Sequence, residues 1–309
     1  GLGNTFLDIK NYEEAIRCYK KADEIEPHNS KYKYSIGYAY YKSGRHKEAF
    51  YHYNLAAGLN HPMAMNNIGY AYESGKGVEK DLEKAVYWYT RAAAFGGSLA
   101  MSNLGYMYQR GRGVEKDVVK ACRLISKSSE LGNAEGTYML AFCYRDGEGV
   151  DKDRKKAFET CEKAAEMGYL NAIVLLGEFY KLGVGTTRDI DKALEQYHEA
   201  DSKGAESAPH AIGIIYEYNM QKKDLKKAAE YYKKGAERGD PDAMYTLALC
   251  YQYGKGCEID CSQAFPLFLK LANDSYKDAF RQVGLCYRDG LGVEKDYKAA
   301  FAWFEKGMA

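Results

Sequence analysis

The 309-residue chain contains no run of about 18 apolar residues of the kind that spans a bilayer. It has no excess of either charge, since 44 Lys and Arg stand against 43 Asp and Glu, a formal net charge of +1. A nucleic-acid-binding protein of this size ordinarily shows a basic surplus or stripe, and none is visible. Membrane insertion and a nucleic-acid partner are therefore not expected. No signal peptide opens the sequence. The six histidines are scattered, at 28, 46, 52, 61, 198 and 210, with none at a catalytic spacing from Cys or Asp. A Walker loop and a His-Glu-x-x-His pair are both missing. The expectation is a non-catalytic chain with no cofactor and no metal.

A disulfide framework is also missing. Cys143, Cys250 and Cys286 fall in a slot that holds Ala39, Ala71 and Met107 elsewhere, the pattern of small core residues. Cys250, Cys257 and Cys261 lack paired metal-ligand spacing and a nearby His. Few expected disulfides lean toward a cytoplasmic setting. Asn273-Asp-Ser275 matches a glycosylation acceptor. It keeps the endoplasmic reticulum lumen or secretion as the alternative, should a signal lie outside this segment.

What the chain does have is repetition. Gly75-Lys-Gly77-Val78-Glu-Lys-Asp81 recurs at Gly111–Asp117, Gly147–Asp153 and Gly290–Asp296, and in weaker form at Gly183 and Gly254. A period of about 36 residues signals a solenoid whose units bury their apolar faces against their neighbours. The fold class expected is all-α, a right-handed α-α superhelix of helix-turn-helix repeats. In residues 64–99, Met65, Ile68 and Tyr72 make the apolar stripe of a first helix. Gly75 stops that helix in the left-handed region, and Gly77 permits a second unusual backbone angle. Val78 folds back over the turn. Asp81 caps a second helix that carries Ala85, Trp88, Tyr89, Ala92 and Ala93 on one face.

A notch of small residues recurs in the first helices at Gly69, Gly105, Ala141, Gly177, Gly213, Ala248 and Gly284. The alanines at 85, 121, 157, 193, 228, 264 and 300 offer a matching small face in the second helices. The tyrosines at 40, 72, 108, 144, 180, 216, 251 and 287 read as core. Tyr218-Asn219-Met-Gln-Lys-Lys-Asp224 lacks the glycine pair, so Asn219 is expected to supply the left-handed residue there.

Residues 64–93 carry the pattern Ala-x3-Leu-Gly-x2-Tyr-x2-Gly-x-Gly-Val-x2-Asp-x2-Lys-Ala-x2-Trp-Tyr-x2-Ala-Ala nearly whole. This resembles the Sel-1-like repeat family of the tetratricopeptide superfamily. The resemblance implies seven Sel-1-like units over residues 63–309, the last truncated. Residues 1–62 lack the Gly-x-Gly-Val loop and resemble ordinary tetratricopeptide repeats, the first truncated. Together they are expected to form one continuous solenoid, excerpted from a longer protein. The family implies a protein-interaction scaffold or adaptor that binds partner proteins or extended peptides. A regulatory module of a larger enzyme or complex is the alternative, and an RNA-binding helical solenoid a second one.

In such stacks the first helices line the concave wall. Counting three before, one after and four after each notch, with Gly37 as the equivalent glycine one repeat earlier, the candidate partner-binding residues are Tyr34, Tyr38 and Tyr41, then Asn66, Tyr70 and Glu73. Tyr106, Gln109, Tyr138, Phe142 and Arg145 continue the series. Asn67 and Asn103 flank it, and resemble family asparagines that hydrogen-bond a bound peptide backbone. Tyr38, Tyr70, Tyr106 and Phe142 form an aromatic ladder suited to recognition. Arg145, Lys181, Arg281 and Arg288 add positive points, so the expected partner segment carries aromatic or apolar anchors and some acidic residues.

Overall fold

The computed structural model describes residues 2–308, and these form eighteen helices and no strand. The chain divides into two compact units, Gly1–Tyr169 and Leu170–Ala309. The first unit holds five helix pairs: α1 (Leu2–Asp8) with α2 (Tyr12–Ile25), α3 (Ser30–Lys42) with α4 (His46–Gly58), α5 (Pro62–Ser74) with α6 (Leu82–Ala94), α7 (Ser98–Arg110) with α8 (Val118–Glu130), and α9 (Ala134–Asp146) with α10 (Arg154–Glu166). The second holds four: α11 (Leu170–Leu182) with α12 (Ile190–Ser202), α13 (Ala208–Tyr218) with α14 (Leu225–Glu237), α15 (Pro241–Tyr253) with α16 (Cys261–Asn273), and α17 (Lys277–Asp289) with α18 (Tyr297–Met308). The helix-turn-helix repeats expected from the period are present. Within the units each helix packs on the next, and first helices also meet one another: α5 on α7, α7 on α9, α13 on α15.

The turn between paired helices is built from its motif. Gly75 ends α5 at φ 75°. The Asp81 carboxylate accepts from the Lys84 amide at 3.0 Å, as a helix cap should, while its own N–H donates to the Tyr72 carbonyl at 2.9 Å. The same clip closes Asp117 on Tyr108, Asp153 on Tyr144, Asp189 on Tyr180 and Asp296 on Tyr287. The lysine of the motif then lays its ammonium over that tyrosine ring, Lys120 over Tyr108 at 4.1 Å and Lys84 over Tyr72 at 5.5 Å. These tyrosines are therefore mostly half-buried rings lidded by lysine, and only Tyr40 of those in the first unit is fully core. The second glycine of the turn joins repeats. A Cβ on Gly113 would stand 2.4 Å from the Leu82 carbonyl oxygen at the start of the preceding second helix.

The notch takes in more than the small alanine face expected opposite it. A Cβ on Gly69 would lie 2.7 Å from the Tyr89 ring, and one on Gly177 or Gly213 would strike Tyr197 or Tyr232. The notch thus admits the side chain four residues after the alanine. The alanines are buried and also sit against the notch, the Ala121 carbonyl oxygen 3.2 Å from a Cβ built on Gly105. Asn219 is also a correction. It sits at φ −80° in extended backbone. Its side-chain oxygen accepts from the amides of Gln221 and Lys222, both at 3.1 Å. An asparagine side chain can close a turn by this bond without a left-handed backbone.

Candidate functional site

All the candidate residues lie on the first helices of the first unit, α3, α5, α7 and α9. Two concavities gather most of them. A groove of about 570 Å³ is lined by Tyr70, Glu73, Asn103, Tyr106, Gln109, Tyr138, Phe142 and Arg145 among others. A smaller pocket of about 130 Å³ takes in Tyr38, Tyr41 and Asn67 and shares Tyr70 with the groove. Tyr34 and Asn66 line neither.

The groove floor is aromatic. Tyr138 packs edge-on to Phe142 at 4.9 Å and tilts against Tyr169 at 5.1 Å. The Arg145 guanidinium covers the Phe142 ring at 4.4 Å. Tyr70 and Tyr106 remain 39% and 37% exposed, so two rings of the ladder are open to contact.

The polar candidates are largely engaged in joining repeats. Asn66 is 4% exposed. Its side-chain oxygen accepts from Asn103 Nδ2 at 2.9 Å, and its own amide donates to Asn67. The position three before the notch thus points at the next repeat, and Asn66 is withdrawn from the wall. The second unit repeats the stitch, with His210 Nε2 3.2 Å from Thr246 Oγ1 and Gln282 donating to Tyr245 Oη at 3.2 Å. Tyr34 stacks on His61 at 4.6 Å.

Glu73 is likewise held from inside. It accepts from the Tyr89 hydroxyl at 2.8 Å and from Arg112 Nη1 at 2.8 Å. Glu217 repeats this with Tyr232 at 2.7 Å and Lys255 at 3.3 Å. Gln109 donates to Glu148, and Lys76 lies over Tyr41. One rule covers these contacts: the residue four after the notch meets the middle residue of the next Gly-x-Gly turn. Sequence reasoning missed those turn residues, Lys76, Arg112 and Glu148, although their fixed place between two glycines was visible. It also missed Glu135, whose carboxyl burial pushes above the usual range, and Met139 in the groove. The groove lining holds four carboxylates, Glu73, Glu135, Asp146 and Glu148, against two guanidiniums, Arg110 and Arg145. Of the positive points expected along the wall, only Arg145 lines this groove.

Among the described residues no group of three or more His, Cys, Asp or Glu could hold a metal ion. No helix among them is long and apolar enough to cross a membrane.

The Sel1 repeat family matches residues 30–61, 62–94, 98–133, 134–169, 170–200, 210–240, 241–276 and 279–307, and the TPR repeat matches residues 3–44. The Sel1 match thus takes in the unit at 30–61, which overlaps the tetratricopeptide match. No curated protein matches the sequence significantly. Among solved structures, a protective antigen of uropathogenic Escherichia coli with an SLR fold is 27% identical, with a TM-score of 0.56, over 99% of this chain and 75% of that one. A Sel1 repeat protein from Oxalobacter formigenes is 29% identical, with a TM-score of 0.54, over 89% of this chain and 96% of that one. Human IFIT1, in a dimer with PPP-AAAA, shares the fold at 17% identity, with a TM-score of 0.55, over 97% of this chain and 69% of that one. Sel1 repeat proteins are generally protein-interaction scaffolds. With eight matched repeats that span most of its length, the chain belongs to the Sel1 repeat family.

Proposed function

We propose that the protein is a non-catalytic scaffold that holds an extended segment of a partner protein in the groove along α5, α7 and α9. One observation carries this reading: eight of the candidate residues line a single groove in which Tyr70 and Tyr106 stay open while Glu73, Asn103 and Gln109 are fixed by bonds between repeats. Rigid aromatic rings bury much area at small entropic cost, and fixed neighbours spare the cost of ordering the site on binding. Glu73 is already paired with Arg112 and Asp146 with Arg145, so the segment is selected chiefly by apolar or aromatic anchors. Carboxylates interleave the groove's arginines, which argues against RNA as the guest, since phosphate contacts call for clustered Lys and Arg.

Panning a random peptide library on the wild type and on a Tyr70→Ala, Tyr106→Ala variant tests the proposal. Sequences enriched on the wild type should fail on the variant. Equal enrichment on both proteins would remove the groove as the binding site.

A further inference from the structure

The smaller pocket differs in kind from the groove. It lies in the first unit between α3, α4 and α5, walled by the rings of Tyr38, Tyr41, Phe50 and Tyr70. Tyr53 and His46 also line it, and Tyr53 Oη and His46 Nδ1 are both buried without a hydrogen-bond partner. The Asn67 side chain faces the Tyr53 phenol and offsets part of the rise that burial gives its pKa. Tyr53 is 3% exposed, and burial keeps its hydroxyl protonated, a neutral donor and acceptor. Leaving such an atom unmatched is costly, and two of them on one pocket call for a polar group that matches both. The volume of about 130 Å³ is close to the engineered apolar cavity of about 150 Å³ that takes up benzene. One aromatic ring fits.

We infer that the pocket receives a tyrosine side chain of the bound peptide, its ring among Tyr38, Tyr41, Phe50 and Tyr70 and its hydroxyl supplying the partner that Tyr53 Oη and His46 Nδ1 lack. The inference rests on the groove reading for the peptide, because Tyr70 borders both concavities and gives the chain its path from one to the other. The pocket itself can be tested without the groove.

The test is NMR titration with p-cresol, the tyrosine side-chain analogue, against toluene, which has the ring and no hydroxyl. Shifts at residues 38–76 should give p-cresol an affinity about tenfold higher than toluene, the worth of one buried hydrogen bond. A Tyr53→Phe, His46→Leu variant, checked as folded by circular dichroism, should lose that preference while still taking up toluene. Tyr87→Ala, on α6 outside both concavities, should leave p-cresol binding unchanged. Failure to bind either compound would mean the pocket holds only water. Equal binding of both, or a preference that survives the double variant, would also overturn the inference. So would a groove-selected peptide whose affinity is indifferent to changing its tyrosine to phenylalanine. If p-cresol behaves as stated but selected peptides ignore Tyr106, the groove reading fails and the pocket stands.

Discussion

Glu73 and Arg112 meet at 2.8 Å across a repeat boundary, with the Tyr89 hydroxyl on the same carboxylate at 2.8 Å. A single side chain thus ties its own second helix to the turn of the next repeat. Glu73→Ala should strand both the buried phenol and the guanidinium and cost about 1–3 kcal/mol. Glu73→Gln keeps an acceptor for Tyr89 and should cost less. Urea midpoints of the two variants check the order.

Glycines that share a left-handed backbone need not be equivalent. Gly113 and Gly132 have φ of 66° and 78°, but a Cβ on Gly113 meets the Leu82 carbonyl while one on Gly132 meets nothing. Both alanine variants should incur the backbone cost of about 1–2 kcal/mol. Gly113→Ala should add about 1–3 kcal/mol for the forced contact. Equal melting temperatures for the two variants would show that the clasp between repeats contributes nothing.

The asparagine stitch makes a different demand. Asn103→Ala should destabilise the first unit by about 1–3 kcal/mol, because it leaves the buried Asn66 oxygen unmatched. Asn103→Ala with Asn66→Leu should recover part of that loss, since removing both polar partners is cheaper than removing one. Chemical denaturation of the single and double variants measures the difference.

Burial holds His52, His61 and His210 below the ordinary histidine value of 6.5. Each is then neutral in the folded chain at a pH where the unfolded chain takes up a proton. Their contribution to stability is complete above about pH 6.5 and declines as pH falls toward the folded values. Urea midpoints should drop between pH 7.5 and pH 5.5, and a His52→Gln, His61→Asn, His210→Asn variant should flatten that decline. Asn at 61 retains a cap for the Ala64 amide, which His61 Nδ1 now accepts at 3.3 Å.

The fold was legible because its signals are local. Gly75 must end a helix, Asp81 must begin one, and Ile68 and Gly69 fall on a helical stripe; each follows from a few consecutive residues. The site was legible only by position. Tyr70, Tyr106 and Phe142 fall one after each notch and do reach a groove. Asn66 occupies an equally plausible slot and is buried. What separates them is the contact between residues about 36 apart, set by how one repeat leans on the next, and no single repeat contains that geometry. Asn219 failed for a related reason: its side chain closes the turn, so the backbone there never needs the left-handed region.

Partner binding, as proposed, belongs to the first-helix groove and the pocket that adjoins it, and not to the exposed rings of the second helices. Tyr87 on α6 is exposed like Tyr106 and lies outside both concavities, which makes it the matched control. Fluorescence anisotropy of a selected peptide should show Tyr106→Ala weakening binding by about tenfold or more, the loss expected of a recognition anchor, and Tyr87→Ala leaving it unchanged. A Tyr87→Ala variant that loses affinity while Tyr106→Ala binds like wild type would contradict the account.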